Sequence, residues 1–256
     1  MAFAVYEQAR YYEIAFSFVD VPEQVDGVFE ALISRHSRIP VHSVLDVCCG
    51  PARQLRELAR RGYGATGLDV SPAMLEYVQA QARREQVTVE TVEADMRDFR
   101  LSHNVDFAYI LMGSIVYLGS NEALLSHLSS MASTLNPGGL YLIENVVADW
   151  TDPRTYEPES WEMAAEGVTV TTTYQIRPAD PLRQTVHQTL DLRVNHEGVE
   201  RQFTEHCELK LFFPEEFRSI VELHGAFEFL GFFERYGPQP LARFSRDHNV
   251  LLRRRG

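Results

Sequence analysis

The chain has 256 residues, 45% of them hydrophobic and 23% charged, with 24 basic against 36 acidic side chains and a net charge of −12. That length can bury the core of one sizeable domain or of a domain with an elaboration, and the balance is that of a globular protein rather than a disordered one. The acidic excess excludes phosphate-backbone binding as the main task, which needs clustered cations, and Arg253, Arg254 and Arg255 read as a solvated tail. Three cysteines, with Cys48 and Cys49 adjacent, make no disulfide framework and suit a reducing cytosol. No run approaches the roughly 20 apolar residues of a membrane span, and Met1–Ala9 lacks the basic start of a secretory signal. The expectation is a soluble cytoplasmic protein.

Residues 5–36 carry helical spacing, with Val25, Val28, Phe29, Leu32 and Ile33 recurring after Pro22. Ser43–Val47 reads as a strand that ends in a Cys-Cys-Gly-Pro turn. A helix over Gln54–Arg61 follows, stopped by Gly62. Ala65–Leu68 is a second strand, closed by Asp69. Ser71 then caps a helix with Pro72 at its first position. Val87–Val92 is a third strand, Phe107–Leu111 a fourth, Glu122–Leu135 a helix, and Leu140–Val147 a fifth strand. Alternation of this kind predicts an α/β, Rossmann-like, doubly wound and mostly parallel sheet of seven strands with helices on both faces.

The pattern changes after Trp150. Val168, Val170, Tyr174 and Ile176 alternate; so do Val186, Leu190, Leu192 and Val194, and Phe203, Cys207, Leu209 and Leu211. Turn residues separate these runs, so a three-stranded antiparallel insert is predicted. Pro214–His224 returns to helix, and Glu228–Arg235 and Asn249–Leu252 complete the main sheet. The domain reading is therefore 1–147 with 214–256 as one unit, an N-terminal helical lid included, and 148–213 as an antiparallel insert capping the substrate.

In such a sheet, ligands sit beyond the carboxyl ends of the strands. Asp46, Asp69 and Asp95 all fall there. Gly50 sits in a turn opening onto a helix, where the backbone can approach a ligand closely. A carboxylate ending the second strand is placed to accept both hydroxyls of a ribose. The turn has a single glycine in Cys48–Arg53, which argues against the diphosphate cradle of a nicotinamide-dependent oxidoreductase. Asp46 would repel phosphate and suit a cation. A nucleoside bearing positive charge fits both observations.

The segments Val44-Leu45-Asp46-Val47-Cys48-Cys49-Gly50, Gly67-Leu68-Asp69-Val70-Ser71-Pro72-Ala73-Met74-Leu75, Glu93-Ala94-Asp95-Met96-Arg97-Asp98-Phe99 and Leu135-Asn136-Pro137-Gly138-Gly139 together resemble a class I S-adenosylmethionine-dependent methyltransferase. The resemblance implies S-adenosyl-L-methionine as cofactor, S-adenosyl-L-homocysteine as product and a small-molecule methyl acceptor, with no nucleic acid, no membrane and a homodimer left open. It places Gly50, with Cys48 beside it, under the methionine part and Asp46 near the amino group. Asp69 would hold the ribose, Val70 and Met74 flank the adenine, Asp95 and Met96 meet its edge and face, and Leu111 lie beneath the cofactor. Cys48 and Ala52 replace the first and third glycines of the usual Gly-x-Gly-x-Gly turn. The segment Ala9-Arg10-Tyr11-Tyr12-Glu13, the pair Tyr117-Leu118 and the insert resemble nucleotide-sugar N-methyltransferases and glycine N-methyltransferase-like proteins more narrowly. That resemblance makes Tyr12 and Tyr117 cofactor-side residues.

The insert holds the candidates for acid–base work. Glu205 shares the apolar face of its strand, whereas His206 points the other way; both are candidate catalytic groups. Trp150, Tyr156 and Trp161 could wall an acceptor pocket. No metal ligand set is evident. The predicted reaction is methyl transfer to a nitrogen or oxygen of a small molecule by in-line displacement, and the alternative is a non-catalytic module that binds the cofactor.

Overall fold

The structure is a computed structural model that describes residues 4–147, 152–243, 245 and 247–256. The first strand is β1 (Ser43–Val47), followed by β2 (Gly64–Asp69), β3 (Glu90–Glu93), β4 (Val105–Ile110) and β5 (Leu135–Glu144), and the chain later returns as β10 (Phe227–Glu234) and β11 (His248–Arg254). These seven form one sheet in the order β10-β11-β5-β4-β1-β2-β3, with β11 antiparallel to both neighbours and the rest parallel. Strand order reverses at β1, so the β1 and β4 ends open the crevice where such sheets take ligands. Helices α4 (Arg53–Arg60), α5 (Pro72–Glu85), α6 (Asn121–Thr134) and α7 (Pro214–His224) fill the crossovers. A core lies on each face of the sheet, one around Leu45, Ile110, Tyr141 and Ile143, the other around Val44, Leu55, Phe107 and Tyr109.

Gly139 fixes the entry to β5, because a Cβ there would stand 2.4 Å from the Asp106 carbonyl oxygen. The third strand starts three residues later than its alternation suggests. Gln86 adopts φ +58 at the end of α5 and the Val87 N–H bonds to Ala82 O, so the start of that run is spent on closing the helix. The predicted helical stretch 5–36 is several pieces: α1 (Ala9–Ala15), α2 (Val21–Gln24), a π-helical turn (Val25–Glu30) and α3 (Ala31–His36). Asp20 accepts from the Glu23 N–H and starts the second of these afresh.

The insert has four strands rather than three: β6 (Glu159–Ala165), β7 (Val168–Asp180), β8 (Thr185–His196) and β9 (Val199–Lys210), in that order and antiparallel. β6 escapes pattern reading because it is an edge strand, half exposed along its length, and alternates only Trp161 and Met163 inward. Nor is the arginine run a tail. Arg253 pairs with Glu228 at 2.7 Å, and Arg254 and Arg255 donate to the carbonyls of Ala132 and Phe227, so β11 and its cations clasp neighbouring elements. Lys210, the single lysine among the 24 basic residues, is buried at the base of the insert and bonds to Gln184 and, at 3.2 Å, to Glu216 on α7.

Candidate active site

The turn after β1 is left-handed at three alternate residues: Cys48, Gly50 and Ala52 have φ of +56, +49 and +55. The positions where the sequence departs from an all-glycine turn therefore keep the glycine conformation. Asp69, ending β2, reaches across to this turn. Its carboxylate accepts the Gly50 N–H at 2.8 Å and the Ser71 N–H at 2.9 Å, joining the β1 and β2 turns through one side chain. Burial pushes the Asp69 carboxyl above the usual range, and these backbone donors pull it back. Asp46 is 4% exposed, and burial drives its carboxyl well above the usual range, with Asp69 adding to the rise. The Tyr109 hydroxyl lies beside Asp46 and opposes that rise, yet closes no hydrogen bond of good geometry. A Cβ at Gly50 would meet no atom within 4 Å. Two under-compensated carboxyls, an orphan hydroxyl and open space over Gly50 suit a ligand that brings positive charge and hydroxyl groups.

The site is roofed by the N-terminal segment. Tyr12, on α1, is half-buried, and desolvation, then the nearby Asp69 and Cys48, raises its phenol above its usual range. Tyr6 packs against Tyr12 and Tyr117 with ring centroids at 5.5 and 6.4 Å. The Tyr117 hydroxyl donates to Gln188 Oε1 at 2.9 Å, so the Tyr6 hydroxyl, 2.6 Å away, donates to it. Gln188 lies on the inner face of β8, and Glu205 on the inner face of β9, 7% exposed. Glu205 accepts weakly from the Val5 N–H at 3.4 Å and faces Cys207 Sγ at 3.8 Å. Among the described residues it has no cationic partner.

The roof is fastened on both sides. Glu13 on α1 takes Arg56 of α4 and the Tyr77 hydroxyl of α5, while Trp161 of β6 donates to the Ala15 carbonyl at 2.7 Å. Tyr11 bonds His196 and Arg201 of the insert at 3.0 Å each.

Of the predicted residues, Asp46, Cys48, Gly50 and Asp69 meet in one crevice beneath Tyr12. Met96 joins them, its sulfur 3.4 Å from Cys48 Sγ. Met74 and Leu111 are buried, and Val70 stands half exposed at the end of β2. The Asp95 carboxylate turns outward and holds Arg97, with N–O distances of 2.5 to 2.9 Å. His206 is brought elsewhere: strand alternation puts it on the exposed outer face, where it bonds Thr189 at 3.1 Å. Tyr156 packs at the rim of the core under the insert, Trp161 is part of the roof's fastening, and Trp150 lies outside the described residues. Sequence reading missed Tyr6, Tyr109 and Gln188. Gln188 carries the same signal that found Glu205, a polar residue on an otherwise apolar strand face.

This arrangement, a seven-stranded sheet with β11 antiparallel, an acidic crevice at the switch point and an antiparallel cap, has the fold of solved S-adenosylmethionine-dependent methyltransferases. Residues 44–139 match the family described as "Methyltransferase domain". The chain is 31% identical over 160 residues to dTDP-3-amino-3,4,6-trideoxy-alpha-D-glucopyranose N,N-dimethyltransferase of Streptomyces venezuelae, a match covering 60% of this chain and 64% of that one. It is 28% identical over 191 residues to dTDP-4-amino-2,3,4,6-tetradeoxy-D-glucose N,N-dimethyltransferase of Saccharopolyspora spinosa, covering 73% and 72%. The matches to several other curated relatives span less than half of those proteins' length. In fold, the chain is similar to an S-adenosylmethionine-dependent methyltransferase from Clostridium acetobutylicum (TM-score 0.80, 15% identity, 97% and 98% of the two chains). It is also similar to Streptomyces venezuelae DesVI (TM-score 0.75, 22% identity, 96% and 98%). No helix among the described residues is long and apolar enough to cross a membrane.

Proposed function

We propose that this chain methylates an amine of a small-molecule acceptor held between the main sheet and the insert, using S-adenosylmethionine. The observation that carries the amine is Glu205, a carboxylate buried on the inner face of the cap without a cationic partner among the described residues. An unpaired buried carboxylate is costly unless a ligand supplies the positive charge. The names of the relatives support an amino sugar as the acceptor class.

In this reading Asp69 holds the ribose, and Asp46 and the Gly50 turn hold the amino-acid end. Met74, Met96 and Leu111 line the rest, with Val70 and Asp95 at the edge. When bound, the cofactor supplies a methyl group on a sulfonium, a leaving group that needs no further activation. The chain's own work is alignment and dryness: Tyr6, Tyr12 and Tyr117 close the crevice from above, and alignment of this kind is worth about 7–11 kcal/mol of a barrier. Glu205 holds the acceptor ammonium and takes the proton that the nitrogen must shed before it can attack. Reduced thiols at Cys48, Cys49 and Cys207 support a cytoplasmic setting. Sedimentation of the purified chain decides between a monomer and a homodimer.

Titration calorimetry with S-adenosylmethionine and with S-adenosylhomocysteine tests the reading. Binding by the wild type is expected to weaken by about a hundredfold in Asp69→Ala, which removes two hydrogen bonds to a charged group at about 1.5 kcal/mol or more each. Glu205→Gln is expected to keep cofactor affinity and lose turnover of amine acceptors. A folded wild type that binds neither ligand at millimolar concentration refutes the proposal.

A further inference from the structure

His127, on α6, is fully buried and is used by none of the steps above. Its Nδ1 lies 2.8 Å from the Met96 carbonyl oxygen and its Nε2 lies 2.8 Å from the Tyr141 hydroxyl. A carbonyl can only accept, so Nδ1 carries the proton; Nε2 then accepts, and Tyr141 donates to it. Burial holds the ring neutral, its pKa lowered to about 4. One turn further along the same helix face, the buried Ser130 Oγ accepts the Phe99 N–H at 3.2 Å. α6 thus grips the loop after β3 at two points three residues apart. The loop's other end is tied to the Asp69 strand, where the Ala94 N–H bonds to Asp69 O at 3.1 Å.

We infer that His127 is a positioning residue for nucleobase recognition: by fixing the Met96 carbonyl, it sets the backbone of residues 95–97 that tells adenine from other purines. This rests on the cofactor reading above. The loop needs such a tie because the Asp95 carboxylate is committed to the Arg97 guanidinium and backbone N–H and faces outward, leaving Met96, its sulfur beside Cys48, as the residue of the loop that meets the crevice. Tyr141, on β5, locks the imidazole tautomer and so acts one bond further back.

The test compares the affinity of S-adenosylhomocysteine with that of S-inosylhomocysteine, in which an oxygen replaces the purine 6-amino group. The wild type is expected to prefer the adenine ligand by about tenfold or more, the value of one matched hydrogen bond in a dry site. His127→Leu is expected to bring that ratio close to one. His127→Asn, whose amide N–H takes the place of Nδ1–H, is expected to keep most of it. Melting temperatures of both variants are read alongside, since a purely structural role lowers melting without moving the ratio. Should His127→Leu fail to fold, Tyr141→Phe serves instead and is expected to reduce the ratio in part. An unchanged ratio in His127→Leu or in Tyr141→Phe, or an equal loss in His127→Asn, overturns the inference. A wild type that binds neither ligand overturns the cofactor reading instead.

Discussion

Ala52 and Cys48 hold φ near +55 without being glycine, in a turn whose third left-handed member is Gly50. A residue with a Cβ gives up about 1–2 kcal/mol in that region, and glycine returns part of the gain through its freer unfolded chain. Ala52→Gly is therefore expected to stabilise the fold by about 0.5–1 kcal/mol in urea melts, since Ala52 precedes α4 and makes no side-chain hydrogen bond. The neighbouring carboxyls give a pH prediction of definite sign. Asp46 and Asp69 have folded-state pKa values above their unfolded ones, chiefly through burial. Their contribution to stability is complete below the unfolded carboxylate range and is lost as pH rises through the raised values. Asp46→Asn should flatten that loss in thermal melts of the ligand-free protein. A cationic ligand favours the ionised forms, so S-adenosylmethionine should release protons on binding just above the ordinary carboxylate range. Calorimetry in two buffers of different ionisation enthalpy reads this directly; equal heats would count against an ionised pair in the complex.

At the scale of elements, α1 is the part that joins roof to crevice. Seven residues hold little helix on their own; what keeps α1 in place is Glu13, held by Arg56 and Tyr77, and the Trp161 bond to Ala15. Arg56 is 7% exposed and also takes Glu85, so it serves two carboxylates at once. Arg56→Ala leaves Glu85 to Arg60 and Glu13 to the Tyr77 hydroxyl and is expected to cost about 1.5–3 kcal/mol, with hydrogen exchange rising first at α1. Exchange rising uniformly across the chain would deny the element this separate role. The sequence made some elements readable and hid others, for physical reasons. Strands buried on both faces, such as β1 and β4, stand out as apolar runs, and Ser71-Pro72 marks the start of α5 by its own cap. β6 is hidden because an edge strand buries little and so shows little alternation. The helical reading of 5–36 passed over Asp20, whose side chain starts a new helix there.

For the whole molecule, Asp46, Gly50 and Asp69 were legible because a switch-point crevice makes strand-end chemistry local in sequence. The roof was not. Tyr6, Tyr117 and Gln188 are 111 and 71 residues apart along the chain, and only the packing of the insert over the sheet brings them together. Glu205 and His206 show the limit of residue type as a guide. Both are suited to acid–base work, and the pleat alone sends one to the buried inner face of the insert and the other to solvent.

Lys210 has a practical consequence. Every other basic side chain is a guanidinium, and the one amine side chain is shut between Gln184 and Glu216 where the insert meets α7. Amine-directed acylating reagents therefore find no side chain to modify on the surface of the folded molecule. Labelling at Lys210 becomes a clock for how often the insert lifts from the body, and mass spectrometry of one peptide is enough to read it.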